Sequence, residues 1–329
     1  MNLVFFKTII FFLLSIIYFY SVSGYGKILQ NTLFSKKTNN NFFELFIFGI
    51  IFKIIFGFLI YISIGNNEYL NLLILIFGFF LYFFYKKKLN IISFKFLSLF
   101  LISIFSVLLI SKTHEDFGFY HYFSVDEIFN NKLRIGTYII NQNFFYSSLL
   151  VHAQSLIVLP FFNYKLIHFP IFFIYFSVAG YFIFLILNST NKSERFFSLM
   201  IVMILLIKFN RLTEFGFDYI SQFLLLVVFH KIYFYKNNKT ELIWALNIFA
   251  LCVLIKPNSL LFSPILLYLF YTNKLRFLIS LISYKNFIFY LMIFVLLTSS
   301  FFRSGCVFYP INKTCFDKEK IFWSEKNNI

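Results

Sequence analysis

The sequence predicts an all-α fold: a polytopic transmembrane helix bundle of about ten helices. Two observations predict it. Mean hydropathy is +0.82, and 60% of the 329 residues are hydrophobic against 13% charged. A soluble domain of this length needs far more polar surface. The second observation is how the charge is parcelled. Lys and Arg fall in short loops between apolar runs, as the positive-inside rule distributes them. The net charge of +16 therefore reads as topology, and nucleic acid is not an expected partner. The 56 Phe, beside many Ile, Asn and Lys, fit an AT-rich coding sequence and carry no function.

The apolar runs, in order, are residues 4–22, 45–64, 69–85, 91–110, 167–187, 196–207, 217–234, 242–255, 260–271 and 287–302. A full span needs roughly 20 residues, somewhat fewer where the ends snorkel. The first run follows Lys7 and ends in "SVSG". Its length favours a retained helix over a cleaved signal peptide. A further apolar piece, 144–159, ends at Pro160.

Charge sets the orientation. Linkers 24–41 (Lys27, Lys36, Lys37), 86–90 and 272–286 (Lys274, Arg276, Lys285) are cation-rich and nearly free of acids. Linkers 188–195 and 231–241 carry one internal or terminal Glu each. All five belong in the cytoplasm. The ten runs alternate consistently with that choice if 144–159 lies in, or re-enters, the outer interface without spanning. Loops 65–68, 111–164, 210–216, 256–259 and 303–329 then face outward. The chain divides into a four-helix membrane segment (1–110), an outward acidic loop with interfacial helices (111–164), a six-helix membrane segment (165–302) and an outward tail loop (303–329).

On this topology only Glu44, Glu194 and Glu241, of 13 acids, fall on the inner side. The outer acids are densest in "SKTHEDFGFYHYFSVDEIFNN", residues 111–131. Insertion does not require this gathering, because acids contribute little to orientation. It is either an outward acidic site or a set of solvated loops. "SVDE" matches a capping box in which Ser124 caps a helix, Glu127 returns a hydrogen bond and Asp126 favours the positive helix end. "THED", 113–116, offers a weaker cap. Glu115 and Asp116 follow directly on a membrane run, among interfacial aromatics. A carboxylate at that depth sits in reduced dielectric, where it can hold a metal or take a proton from an attacking hydroxyl. His121 can aid either role.

Other outward residues carry two readings each. Arg211 and Lys208 either hold a lipid phosphate or anchor helix ends at headgroups. Asp218 lies at a helix start. Lys256, in "KPNS", precedes Pro257 at a first helical position and either contacts phosphate or snorkels. Cys252 is a small core residue. Cys306 and Cys315 can pair if their loop faces an oxidising compartment. The cysteine spacing matches no metal site, and no cofactor is implied.

"HEDFGFYHY" after a membrane run, then "GTYIINQNFFYSSLL", then short helices, resembles the GT-C superfamily of membrane glycosyltransferases. More closely, the chain is similar to bacterial envelope membrane proteins related to those enzymes. They share an acidic-aromatic-Tyr-His loop (here "EDFGFYH", 115–121) and a Gly-to-Ser-Ser segment (Gly136 to Ser148). They also share a "KxS" turn (here "KPNS", 256–259) and a "SGxxxYP…W" loop (here "SGCVFYP…FWS", 304–324). The resemblance covers 111–324 and implies a GT-C-like fold in the bacterial cytoplasmic (inner) membrane. It implies a lipid-linked sugar donor and membrane lipid as partners, with Asp116, and Glu115 second, as catalytic carboxylates. His121, Arg211, Asp218 and Lys256 are the expected substrate-binding residues. A transporter expects charges near mid-membrane; Lys53 is the single charge deep in a run. A non-catalytic membrane subunit and an envelope polysaccharide polymerase or ligase are the other readings.

Overall fold

The computed structural model describes residues 2–33, 42–85, 117–140, 148–209, 212, 216–235, 238–272, 279, 281–309 and 311–324. The described residues are helical, with two isolated β-bridges and no strand. Among the described residues, five stretches are long and apolar enough to cross a membrane: Ile9–Thr32, Phe42–Ser63, Tyr164–Asn188, Phe217–Tyr235 and Tyr284–Ser304. The protein is a helical membrane bundle.

Among the described residues, three helices form the amino-terminal layer: α1 (Asn2–Leu33), α2 (Phe42–Ser63) and α3 (Glu68–Tyr85). α1 continues through "SVSG" for another three turns, so Lys27 is helical and donates to Gln30 at 2.7 Å. The expected boundary at residue 22 was wrong because those small residues are a packing surface. A Cβ on Gly24 would lie 2.1 Å from the Gly78 carbonyl oxygen of α3. One on Gly49 of α2 would lie 1.8 Å from the Val22 carbonyl oxygen. In lipid, apolar burial alone does not drive helices together, and close backbone approach at small residues does much of the work. Aromatic rings fill the space beside this seam: Phe19 stacks on Phe46 at 4.8 Å and meets Phe173 at 5.5 Å.

Residues 117–140 and 148–166 form a cap of short helices over the Ser63 end of α2. One π-turn (Phe117–His121) leads into α4 (Tyr122–Asn130); α5 (Thr137–Ile140) and α6 (Leu150–Ser155) follow. The capping box at Ser124 does not form. The helix already runs from Phe117, so Ser124 is an interior, buried residue, and its hydroxyl has no hydrogen-bond partner among the described residues. Asp126 instead accepts from the Tyr164 hydroxyl at 2.6 Å and from Asn130 at 2.7 Å. α6 is too short to span, and all six of its residues are buried. Its His152 backbone lies against Gly57 of α2, well below the helix end. This piece is therefore inserted into the bundle, not laid amphipathically on its surface. After Pro160 the chain reverses, with Phe161 and Asn163 at positive φ and the Asn163 amide bonded to the Leu159 carbonyl at 3.0 Å.

The carboxyl-terminal layer contains α7 (Phe169–Asn188), α8 (Lys192–Ile207), α9 (Phe217–Tyr235), α10 (Lys239–Ile255), α11 (Pro264–Thr272) and α12 (Phe287–Ser304). Asn191 and Asn238 cap α8 and α10 by accepting from amides two residues on, each at 3.0 Å. The run at 260–271 breaks in two. A 3₁₀ helix, Pro257–Phe262, is followed at Pro264 by the nine-residue α11. α12 ends at Gly305, whose left-handed φ of 69° suits a glycine.

At the Glu44 end of α2 the bundle closes on a buried polar network. Lys231 of α9 reaches Glu44 and Glu241, each at 2.5 Å. Next to it, the His230 Nε2–H donates to Glu194 at 3.0 Å and the Tyr235 hydroxyl donates to the same carboxylate at 2.7 Å. With Nε2 donating, Nδ1 accepts from the Tyr181 hydroxyl at 2.9 Å. The three acids read from the sequence as inner-side are the three that meet here.

Candidate functional site

Of the residues expected to form a site, Glu115, Asp116 and Arg211 lie outside the described residues. His121, Asp218 and Lys256 are described and lie at the Ser63 end of the bundle: Lys256 pairs with Asp218, and His121 packs on the neighbouring Phe217.

Asp218 sits in the first turn of α9, where the helix dipole favours a carboxylate. Lys256 follows α10 in an extended conformation, its amide bonded to the Cys252 carbonyl at 2.8 Å. Pro257 opens the 3₁₀ helix at its first position, as its fixed φ and missing N–H predict. The extended residue throws the Lys256 side chain across to α9, and its ammonium meets Asp218 at 2.6 Å. The side chains are 30% and 54% exposed, so solvent screens the pair and it contributes at most about 1 kcal/mol. Such a pair orients a charge more than it stabilises a fold.

Below it, α9 and the 3₁₀ helix are joined by hydroxyls. Ser221 donates to the Cys252 carbonyl at 3.2 Å, so the 2.5 Å contact between Ser221 and Ser259 uses the Ser259 hydrogen. Ser221 was not singled out from the sequence, since a lone serine in an apolar run gives no signal. His121 closes the third side. It is buried, and its ring meets Phe217 edge-on with centroids 4.2 Å apart. Phe217 is the residue before Asp218, so the π-turn that follows Asp116 packs on the start of α9.

Within 111–131, the described acids Asp126 and Glu127 belong to the cap's own architecture. Glu127 accepts from Asn131 at 2.9 Å and pairs with Arg134 at 3.3 Å. Burial raises its carboxyl above the usual range, with Arg134 pulling the other way. Among the described residues no three His, Cys, Asp or Glu side chains are grouped to hold a metal.

The tail loop packs on the same end. Cys306 and Cys315 form a disulfide that closes a short bridge. The Tyr309 hydroxyl bonds that of Tyr138 at 2.7 Å, and Trp323 packs against Gly136. The cap, the Lys256 turn and the tail loop thus share one end of the bundle, opposite the Lys231 network. Compared with family models, curated proteins and solved structures, the chain matches none of them.

Proposed function

We propose that this chain is a GT-C-like membrane glycosyltransferase with about ten membrane helices, in the cytoplasmic membrane of a bacterium. It transfers a sugar from a polyprenyl-phosphate donor to an envelope glycan or lipid on the outer side. The observation that carries the reading is the Lys256–Asp218 pair, with His121 packed on Phe217 at the start of the same helix. They come from three separate segments, and His121 lies five residues after Asp116. A disulfide at the same end suits an oxidising compartment, and the cation-rich linkers suit the opposite one.

In this reading Asp116, with Glu115 beside it, takes the proton from the acceptor hydroxyl as that oxygen bonds to the sugar's anomeric carbon. The bond from that carbon to the phosphate oxygen breaks, and polyprenyl phosphate leaves. Lys256 and Arg211 offset the leaving charge; Asp218 holds the Lys256 ammonium in place, and His121 positions the turn.

A non-catalytic membrane subunit is the second reading. It is favoured by the completeness of the Lys256–Asp218 pair, which meets its own charge without a ligand. Donor turnover separates the two. The chain in nanodiscs, supplied with a polyprenyl-phosphate hexose and a membrane extract as acceptor source, should release polyprenyl phosphate. Asp116→Asn should lower release about 10²- to 10⁴-fold at equal abundance. Unchanged release in Asp116→Asn would remove the catalytic assignment, and no release from the unaltered chain would favour the subunit.

A further inference from the structure

A second polar cluster, sharing no residue with the Asp218–Lys256 pair, lies where the inserted piece meets the turn between α2 and α3. Its members are Asn66 of that turn, Asn71 of α3 and Ser155 at the end of α6. The Asn66 amide group donates to the Ile128 carbonyl of α4 at 3.1 Å and to the Ser155 hydroxyl oxygen at 3.2 Å. The Asn71 amide group donates to the Ser155 carbonyl at 2.8 Å and to the Val158 carbonyl at 3.0 Å. Each amide nitrogen has two hydrogens, so every hydrogen is used. Both orientations are thereby fixed, because turning either group over sets its oxygen against a carbonyl oxygen. The two side-chain oxygens are buried and have no hydrogen-bond partner among the described residues, and Asn71 is 0% exposed. Native proteins keep such orphaned groups for a water, an ion or a ligand.

The groups around these oxygens are acceptors too. Ser155 donates its own hydrogen to the His152 carbonyl at 2.9 Å, so its hydroxyl has only a lone pair left to offer. Ile128 stands in the last turn of α4, and Ser155 is the last residue of α6. Two helix carboxyl ends therefore converge here, each with partial negative charge. At the start of α3, Asn67 accepts from the Tyr69 amide at 2.8 Å and so occupies a donor of that positive end. The His152 ring turns to α2, with the Phe58 and Tyr61 ring centroids at 5.4 and 5.6 Å. A water bridging the two amide oxygens spends both its hydrogens on them and then faces acceptors alone, whereas buried water makes about three hydrogen bonds. A cation needs no donor.

We infer that Asn66, Asn71 and Ser155 form a binding site for a monovalent metal cation of the sodium class, which ties the inserted piece to the turn between α2 and α3. Hard cations take oxygen ligands, and interrupted helices at membrane depth hold sodium with their carboxyl ends and unwound carbonyls. Neutral oxygens suit a single charge. A divalent ion calls for carboxylates, and no Asp or Glu is hydrogen-bonded to any of the three side chains among the described residues. The site is independent of sugar transfer and serves a transferase or a non-catalytic subunit alike.

The test is ion-specific protection. The full chain in detergent and choline chloride is titrated with sodium chloride at constant ionic strength, and both sodium-23 line broadening and amide exchange across 148–166 are followed. Broadening should saturate. At about a hundredfold excess of sodium over its dissociation constant, exchange should slow roughly a hundredfold, as linkage requires of a ligand lost on opening. Asn66→Ala and Asn71→Ala should each abolish the difference between sodium and choline in both measurements. Asn188→Ala, which removes a carboxamide from the exposed end of α7, should keep it. If neither site variant folds, the unaltered chain decides: exchange no slower in sodium than in choline overturns the site and leaves the oxygens to water. Saturable broadening that persists in folded Asn66→Ala and Asn71→Ala puts the ion elsewhere and overturns it as well.

Discussion

Lys231 of α9 places its ammonium 2.5 Å from a Glu44 carboxylate oxygen of α2 and 2.5 Å from one of Glu241 of α10. Lys231 is 2% exposed, and its cation also lies 5.4 and 5.5 Å from the Tyr181 and Trp244 rings. Three helices from both layers are therefore tied through one atom. Removing a single partner from a buried ion pair leaves the other uncompensated, at a cost of about 3–5 kcal/mol. Lys231→Met is expected to lose that much stability in denaturant titration of the detergent-solubilised protein. The triple variant Lys231→Met, Glu44→Gln, Glu241→Gln should recover most of it, since it leaves no buried charge unpaired. A single variant as stable as the unaltered chain would mean that solvent reaches the network.

Asp126 and Tyr164 make the analogous tie on the cap. The hydroxyl donates to the carboxylate at 2.6 Å and joins α4 to the start of the next membrane stretch. A hydrogen bond to a charged group is worth about 1.5–3 kcal/mol. Tyr164→Phe and Asp126→Asn should each speed amide exchange across 122–140 by roughly ten- to a hundredfold, the equivalent of that energy. The double variant should add little to either single change, because one bond is lost in all three. Additive effects would show that the two side chains act separately.

Lys53 is the converse case, a buried cation without a described partner. Its ammonium is fully enclosed, lies 5.7 Å from the rings of Tyr18 and Tyr25, and makes no hydrogen bond among the described residues. Ring contacts offset part of the desolvation cost but not all of it. Lys53→Met keeps most of the volume and removes the charge. It should raise the midpoint of thermal unfolding, by a gain of about 1–4 kcal/mol as seen when buried charges give way to apolar groups. A loss of stability would show that Lys53 holds a partner beyond those described.

The helical membrane class was legible in the sequence because hydropathy and charge placement are averages over many residues. The gathering of Glu44, Glu194 and Glu241 on one side was legible for the same reason. Their partners were not: Lys231 was read as the first residue of a loop, and His230 as part of an apolar run. Only the angle at which α9 meets α2, α8 and α10 makes them partners. Ser124 misled through local pattern, since a capping box presumes a helix start and this helix already runs from Phe117. The Lys256–Asp218 pair joins two residues that were singled out separately, each for its position at a helix end. Nothing in either local stretch encodes their pairing.

His152 gives the cap a pH dependence. Burial pushes the imidazole well below its usual value of 6.5, and the nearby Arg303 charge pushes the same way. The folded chain therefore holds it neutral, whereas the unfolded chain protonates it near the usual value. Fewer protons bind to the folded state, so the stability from this group is complete above about pH 6.5 and falls as pH drops toward the folded value. Between pH 7.5 and 5 the unaltered chain should lose denaturant resistance, and His152→Phe should lose less over the same interval. Phe fits the same apolar walls, Phe58 and Tyr61, and titrates nothing. If the two curves run parallel from pH 7.5 to 5, the imidazole reaches solvent in the folded chain and the enclosure under the cap is not closed.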